Sequence, residues 1–221
     1  MRDAPSPGNR MGTMEIKKHF LSGLARFSKI AELRSHDNVK MPAIYATFTS
    51  SNHLDPEQKD VDAATARDIF TTAFTDYKSR LFPMPPRTIL AHGTTQNNLR
   101  EFDFFCRLLH DNGIEFPLVN LAVDKYWSFA RERRTVSQSK RNLQLIAYFE
   151  TWLRRNPTVP VLYLYYIMQY SRGYLNWLAS FQELLPASPP LVVVANDHNP
   201  LQVAFTTAAA TCGLVRLYLQ H

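Results

Sequence analysis

The sequence predicts an α/β fold: a three-layer, Rossmann-like parallel sheet flanked by helices, with an N-terminal helical segment. Three observations predict it. Between Arg87 and Val123 a short apolar run, a turn, a helical period and a second apolar run follow in the order β-α-β. Leu191 to Ala195 (LVVVA) is a continuous apolar run preceded by two prolines, the pattern of a central parallel strand covered on both faces. Behind it come an Ala-rich helical stretch and a returning run, Leu214 to Leu219, and alternation of this kind builds layered α/β domains. With 221 residues, 45% hydrophobic and 20% charged, the chain can bury a core of that size and is not disordered as a whole.

Residues 1 to 13 hold Pro, Gly, Asn and Ser without periodicity and are expected to be a disordered leader, with Met11 or Met14 as alternative starts; residues 14 to 221 are expected to form a single α/β domain. From Met14 to Arg34 the apolar positions Ile16, Phe20, Leu24, Phe27, Ile30 and Leu33 recur at steps of three and four, which predicts an amphipathic helix. Pro42 to Thr49 reads as a strand entering a polar loop. Asp60 or Asp62 caps a helix that runs to about Leu81, where the segment FPMPP ends it. Arg87 to Ala91 is a strand, His92 to Thr95 a turn, Asn98 to His110 a helix stopped at Asn112-Gly113, and Phe116 to Val123 a strand parallel to the first.

Ser137 to Arg155 forms an amphipathic helix through Leu143, Ile146, Ala147, Phe149 and Leu153, and Pro157 and Pro160 prevent its continuation. The stretch Val161 to Gln182 suits a strand at VLYLYY and a buried helix elsewhere, and is read as strand then helix. After Leu191 to Ala195, the exit Asn196-Asp197-His198-Asn199 leads to Pro200 as the first helical residue. A small-residue face (Ala204, Ala208, Ala209, Cys212) lets that helix lie close to a sheet, and Gly213 stops it.

The composition excludes several classes. Two cysteines, Cys106 and Cys212, make no disulfide framework and are read as packing residues of a chain in the reducing cytoplasm. The longest unbroken apolar run, Val161 to Met168, is eight residues, too short for a membrane-spanning helix. GxSxG, kinase, Walker and GxGxxG patterns are missing, as are HExxH and CxxC spacings, so no metal site is expected even at His53 and Asp55. Asp60-Val61-Asp62 has the DxD form that can hold a divalent metal on a nucleotide sugar, but helix capping explains it better.

Asp197 and His198 follow the best strand and precede a helix N-terminus, where α/β enzymes place working residues. The carboxylate could serve as general base towards a hydroxyl, and the imidazole could share a proton or hold a phosphate oxygen; the plainer alternative is that Asp197 and Asn199 only cap the helix. His92, Gly93 and Thr94 also join a strand to a helix and could cradle a phosphate or a sugar, or form an ordinary turn. The net charge of +6 favours anionic partners, and an equal excess falls within Lys125 to Arg155, among Tyr126, Trp127, Phe129, Tyr148, Phe149 and Trp152. Arg133, Arg134, Lys140 and Arg141 are the candidate contacts there to a polyanion or an anionic membrane surface, against the reading of a solvated helix face.

The segment LVVVANDHNPLQVAFTTAAATCGLVRLYLQH, Leu191 to His221, resembles the end of the N-terminal domain in bacterial surface-polysaccharide glycosyltransferases of the two-domain GT-B type. It is similar in particular to capsular-polysaccharide and CDP-glycerol glycerophosphotransferase-like proteins, in which a strand, a polar AND(H/T)(S/N)P exit, an Ala-rich helix and a strand ending in Gln-His recur. The resemblance covers 31 residues and implies the acceptor-side half of a glycosyltransferase of surface polysaccharide biosynthesis, working at the cytoplasmic face of the membrane. It implies no permanent cofactor, a nucleotide-activated sugar or polyol as donor, a carbohydrate acceptor, and no specific nucleic acid. Asn196, Asp197 and His198 would face the cleft beside the acceptor with Asn199, and His221 would stand near the donor phosphate as a third catalytic candidate. The family continues past this point with a glycine and a donor-binding domain, so the chain alone is expected to lack transferase activity, whether it is a fragment, a truncated gene product or a stand-alone domain. The competing expectation is a non-enzymatic basic α/β module that binds a polyanion or an anionic membrane.

Overall fold

A computed structural model of the chain describes residues 16–24, 60–83, 88–93, 95–122, 130–184, 191–195 and 200–219. Residues 16–24 form helix α1, which buries Ile16, Phe20 and Leu24, the first part of the amphipathic stretch read from the sequence. The leader and the strand expected at Pro42 to Thr49 lie outside the described residues. Strand β1 (Asp60–Asp62) leads directly into α2 (Ala63–Phe74), whose N-cap is Asp62: its carboxylate accepts the Thr65 N–H at 2.7 Å. That hydrogen bond holds the Asp62 carboxyl below the usual carboxylate range.

The helix expected to reach Leu81 ends at Phe74, and Ser79–Leu81 is a strand, β2. The Pro-rich segment is not what stops it. Distant side chains take the backbone beyond Phe74: Asn142 Nδ2 donates to the Tyr77 carbonyl (2.8 Å), the Arg80 N–H donates to Asn176 Oδ1 (2.9 Å), and the Phe82 N–H donates to Ser180 Oγ (3.1 Å). A backbone satisfied across nearly a hundred residues has no need of helical partners.

Strand β3 (Ile89–Ala91), helix α3 (Gln96–Asp111) and strand β4 (Leu118–Asn120) form the expected β-α-β unit, with β3 and β4 parallel. Thr95 and Asn98 close a reciprocal capping box at the start of α3. Strand β5 (Arg131–Arg133) pairs antiparallel with β2, and helix α4 (Val136–Leu153) starts at the Thr135 cap. Leu143 and Ala147, read as part of the buried face of α4, are exposed, and the face turned to the core carries Leu145, Ile146, Phe149 and Leu153. Strand β6 (Thr158–Pro160) pairs with β1.

Val161–Leu184 is helix α5 throughout, not a strand followed by a helix. Its VLYLYY opening has strand-forming residues, but Val161, Leu164, Tyr166, Ile167, Tyr170 and Tyr174 are all buried around the helix, and tertiary packing overrides propensity. Strand β7 (Leu191–Val194), helix α6 (Pro200–Thr211) and strand β8 (Arg216–Tyr218) complete the chain as expected from the sequence. Gly113 (φ 71°) and Gly213 (φ 69°) end α3 and α6 in the left-handed region that favours glycine.

The parallel sheet has the order β4-β3-β7-β8. Ile89, Ala91, Val193 and Ala195 pack with Phe102 and Phe105 of α3 on one side. Leu90, Val192 and Val194 belong to the main core with α5 and α6 on the other. Covering both faces is what the unbroken LVVV run requires. Helix α6 lies close along α5 because Gly173 of α5 has no side chain: a Cβ there would stand 3.0 Å from Ala204 Cβ and 3.1 Å from Leu201 Cδ2. Phe205 fills the junction, 5.1 Å from the Trp177 ring and 5.5 Å from Phe181.

Phe205→Ala is expected to cost about 3–5 kcal/mol of unfolding free energy, and Leu143→Ala to stay within about 0.5 kcal/mol of wild type. Urea unfolding followed by tryptophan fluorescence measures both. A large loss at Leu143 would contradict the face assigned to α4.

Candidate functional site

The sheet divides at its centre. From β3 the chain crosses through α3 to β4 on one side, and from β7 it crosses through α6 to β8 on the other. Because β3 and β7 are adjacent and parallel, their carboxyl ends flank a topological switch point, the place where open α/β sheets receive ligands. His92 and Gly93 leave β3 at this point; Ala195 leaves β7 there, and Pro200 begins α6. Thr94, the four residues Asn196, Asp197, His198 and Asn199, and His221 lie outside the described residues.

A buried polar bed underlies the switch point. Asn120, at the end of β4, accepts the Gly93 N–H (3.2 Å) and the Ala122 N–H (3.2 Å) on Oδ1 and donates from Nδ2 to the Gly93 carbonyl (2.8 Å). Both backbone groups of Gly93 are therefore held by one side chain. A Cβ at Gly93 would stand 2.7 Å from Asn98 Cβ and 2.9 Å from Phe102, so only glycine lets β3 turn this close to α3. Gln202 in the first turn of α6 donates from Nε2 to the His92 carbonyl (3.0 Å) and to Asn98 Oδ1 (3.3 Å), which also accepts the Thr95 N–H (3.4 Å). Helices on opposite faces of the sheet are thereby tied to each other and to the exit of β3.

His92 is 2% exposed and sits between aromatic rings, 5.6 Å from both Trp177 and Phe205. Burial pushes its pKa down to about 4, so the ring is neutral at physiological pH. Among the described residues neither ring nitrogen has a hydrogen-bond partner, and neither does Gln202 Oε1. Leaving such buried groups unmet costs about 1–3 kcal/mol each, which is why native interiors rarely do so. Asn98, Asn120 and Gln202 were not singled out by sequence. Their signal was a polar residue interrupting an apolar strand (LVN) or an apolar helical turn (PLQVAF).

The four basic candidates do not act as one surface. Arg133 pairs with Glu183 (3.7 Å), which also pairs with Arg131; Arg134 pairs with Asp76 (2.7 Å) and donates to Ser139 Oγ (3.2 Å). Arg141 is half-buried, donates to Ser137 Oγ (3.1 Å), and together with Arg133, Thr135 and Gln182 lines a cavity of about 370 Å³ at the start of α4. Only Lys140 is exposed without an ion-pair partner among the described residues, on a face it shares with Val136 (90% exposed) and Leu143 (59% exposed). Cys106 is half-buried and Cys212 buried, its thiol pushed up to about 12 by burial, consistent with packing and not with a nucleophile. Among the described residues no group of three His, Cys, Asp or Glu side chains could hold a metal ion, and no helix is long and apolar enough to cross a membrane.

Compared with protein-family models, curated proteins and solved structures, the chain has no match.

The neutral His92 carries a pH signature. Between pH 6.5, the ordinary imidazole value, and about 4, the unfolded chain binds a proton that the folded one refuses. Stability is expected to fall on acidification through that window by about 1.4 kcal/mol per pH unit from this group. His92→Phe, which keeps a ring beside Trp177 and Phe205, should lower the slope by one proton in urea titrations at several pH values. Equal slopes for the two proteins would show that His92 takes up its proton in the fold.

Proposed function

We propose that the chain is the acceptor-side half of a nucleotide-sugar-dependent glycosyltransferase of surface polysaccharide biosynthesis, built as a three-layer Rossmann-like domain. The single observation that supports this reading is the switch point between β3 and β7, where His92 and Gly93 leave one strand and Ala195 leaves the other. In such a site a nucleotide-activated sugar or polyol is the donor and a carbohydrate hydroxyl the acceptor. Asp197 takes the proton of the attacking hydroxyl, and His198 and His221 stabilise the departing phosphate. Asn196 and Asn199 orient acceptor hydroxyls. The polar bed of Asn98, Asn120 and Gln202 fixes the backbone of His92 and Gly93 at the exit of β3. Donor binding requires a second domain, and the reaction needs no metal.

A second reading has one observation in its favour. Val136 and Leu143, both strongly exposed, flank Lys140 on the outer face of α4, and an apolar pair around a cation suits the surface of an anionic membrane. It is compatible with a transferase that works at the inner face of a membrane.

Transfer is tested with the chain joined to a donor-binding domain, using CDP-polyol and nucleotide-sugar donors. Asp197→Asn is expected to lower turnover by about 10²–10⁴-fold with the melting temperature unchanged. Undiminished turnover would remove Asp197 as the base. For the membrane reading, Val136→Asp together with Leu143→Asp should abolish co-sedimentation with phosphatidylglycerol vesicles, and retained binding would dismiss it.

A further inference from the structure

The antiparallel pair of β2 and β5 has two faces. Leu81 and Arg133 look into the cavity at the start of α4; Arg80 and Glu132, directly opposite each other across the ladder, look into a second cavity of about 360 Å³. The far wall of that second cavity is one face of α5, where Gln169, Arg172, Gly173, Asn176 and Trp177 recur at helical spacing, and the first turn of α6 closes it at Leu201. Tyr77 and Lys78 complete the rim.

Three cations, Lys78, Arg80 and Arg172, face this space against one carboxylate, Glu132. None of the three has an ion-pair partner among the described residues. Arg80 and Arg172 are close enough to act electrostatically on the Tyr77 phenol, and so is Glu132. Asn176 fixes β2 at this wall by accepting both the Tyr77 hydroxyl (2.9 Å) and the Arg80 N–H (2.9 Å), so the base of the Arg80 side chain is held. The positive end of the α6 macrodipole adds to the potential at Leu201.

We propose that this cavity binds the phosphate group of a small phosphate monoester, with Arg80 and Arg172 as forked donors and Lys78 as a point charge. The lining charge of two positive units matches a monoester, which carries about −1.5 to −2 at neutral pH. The volume falls in the range of about 300–1,000 Å³ typical of small-molecule sites. A concave wall suits one phosphate group, whereas a strand of phosphates needs a track of cations. Glu132 tunes the site by repelling the anion, which keeps binding reversible. Trp177 backs the cavity and touches His92 on its other side, so the phosphate site and the switch point share a wall without sharing a ligand group. The proposal stands independently of the transferase reading.

The test is calorimetric titration of the full chain with glycerol 3-phosphate, in roughly 50 mM and roughly 300 mM salt. Saturable one-to-one binding is expected, weaker at the higher salt. Arg80→Gln and Arg172→Gln should each weaken it by about tenfold, Glu132→Gln should tighten it, and Arg107→Gln on α3, paired with Asp103, should leave it unchanged. All four side chains are exposed, and unchanged melting temperatures confirm that the variants fold. Absence of saturable binding, or wild-type affinity in both arginine variants, overturns the proposal. Binding to phosphatidic-acid vesicles without binding of the soluble ester also overturns it, assigning the cations to a lipid headgroup instead.

Discussion

The burial of α5 is the constraint on which the other elements depend. Tyr170, Tyr174, Trp177 and Phe181 are all sealed from solvent, and such rings bury about 150–250 Å² each. A helix loaded in this way must be covered over most of its surface, with Arg172 and Glu183 left exposed. Phe20 of α1 packs on Tyr170 and Tyr174, α6 lies along the glycine face, and strand β2 lies against Asn176 and Ser180. The polar groups on this helix sit where another element's backbone needs a partner: Asn176 Oδ1 accepts the Arg80 N–H, and Ser180 Oγ accepts the Phe82 N–H. Burial supplies the driving force, and these hydrogen bonds choose which arrangement satisfies it.

From that packing the carboxyl end of the sheet inherits its chemistry. Trp177 and Phe205 desolvate His92 from two sides and hold it neutral, while Gln202 and Asn120 take up the backbone of His92 and Gly93. A rigid, dry floor with unmet polar atoms is a different object from a solvated turn. The same aromatic wall separates this floor from the cationic cavity beside β2 and β5, so charge and neutral polarity are sorted onto two sides of one tryptophan.

What could be read in the chain beforehand follows from how locally each element is determined. Strand β7, helix α6 and strand β8 declare themselves because the preceding prolines, the Ala-rich face and Gly213 act within a few residues of the structure they specify. The unit from β3 to β4 is legible for the same reason, through its apolar runs and Gly113. Strand β2 was not, because its hydrogen bonds go to Asn176 and Ser180, and nothing in SRLF itself opposes a helix. The helical state of VLYLYY was hidden because β-branched and aromatic residues serve a buried helix as well as a strand. The excess charge of the Lys125 to Arg155 stretch was visible, but Glu183 and Asp76, which pair with Arg133 and Arg134, come from distant segments. At the switch point, the location of the site was legible and its floor was not: Asn120 and Gln202 announce only that they interrupt apolar runs, and their partners are set by the fold.

The proposal that the switch point between β3 and β7 receives a ligand is tested most directly by amide chemical-shift mapping, with CDP and UDP-sugars titrated into isotopically labelled chain. If the switch point is the site, the largest concerted shifts fall at 92–93, at 120–122 and from 195 to 202, and saturate together. Shifts confined to the outer face of α3, or none at saturating nucleotide, would contradict it.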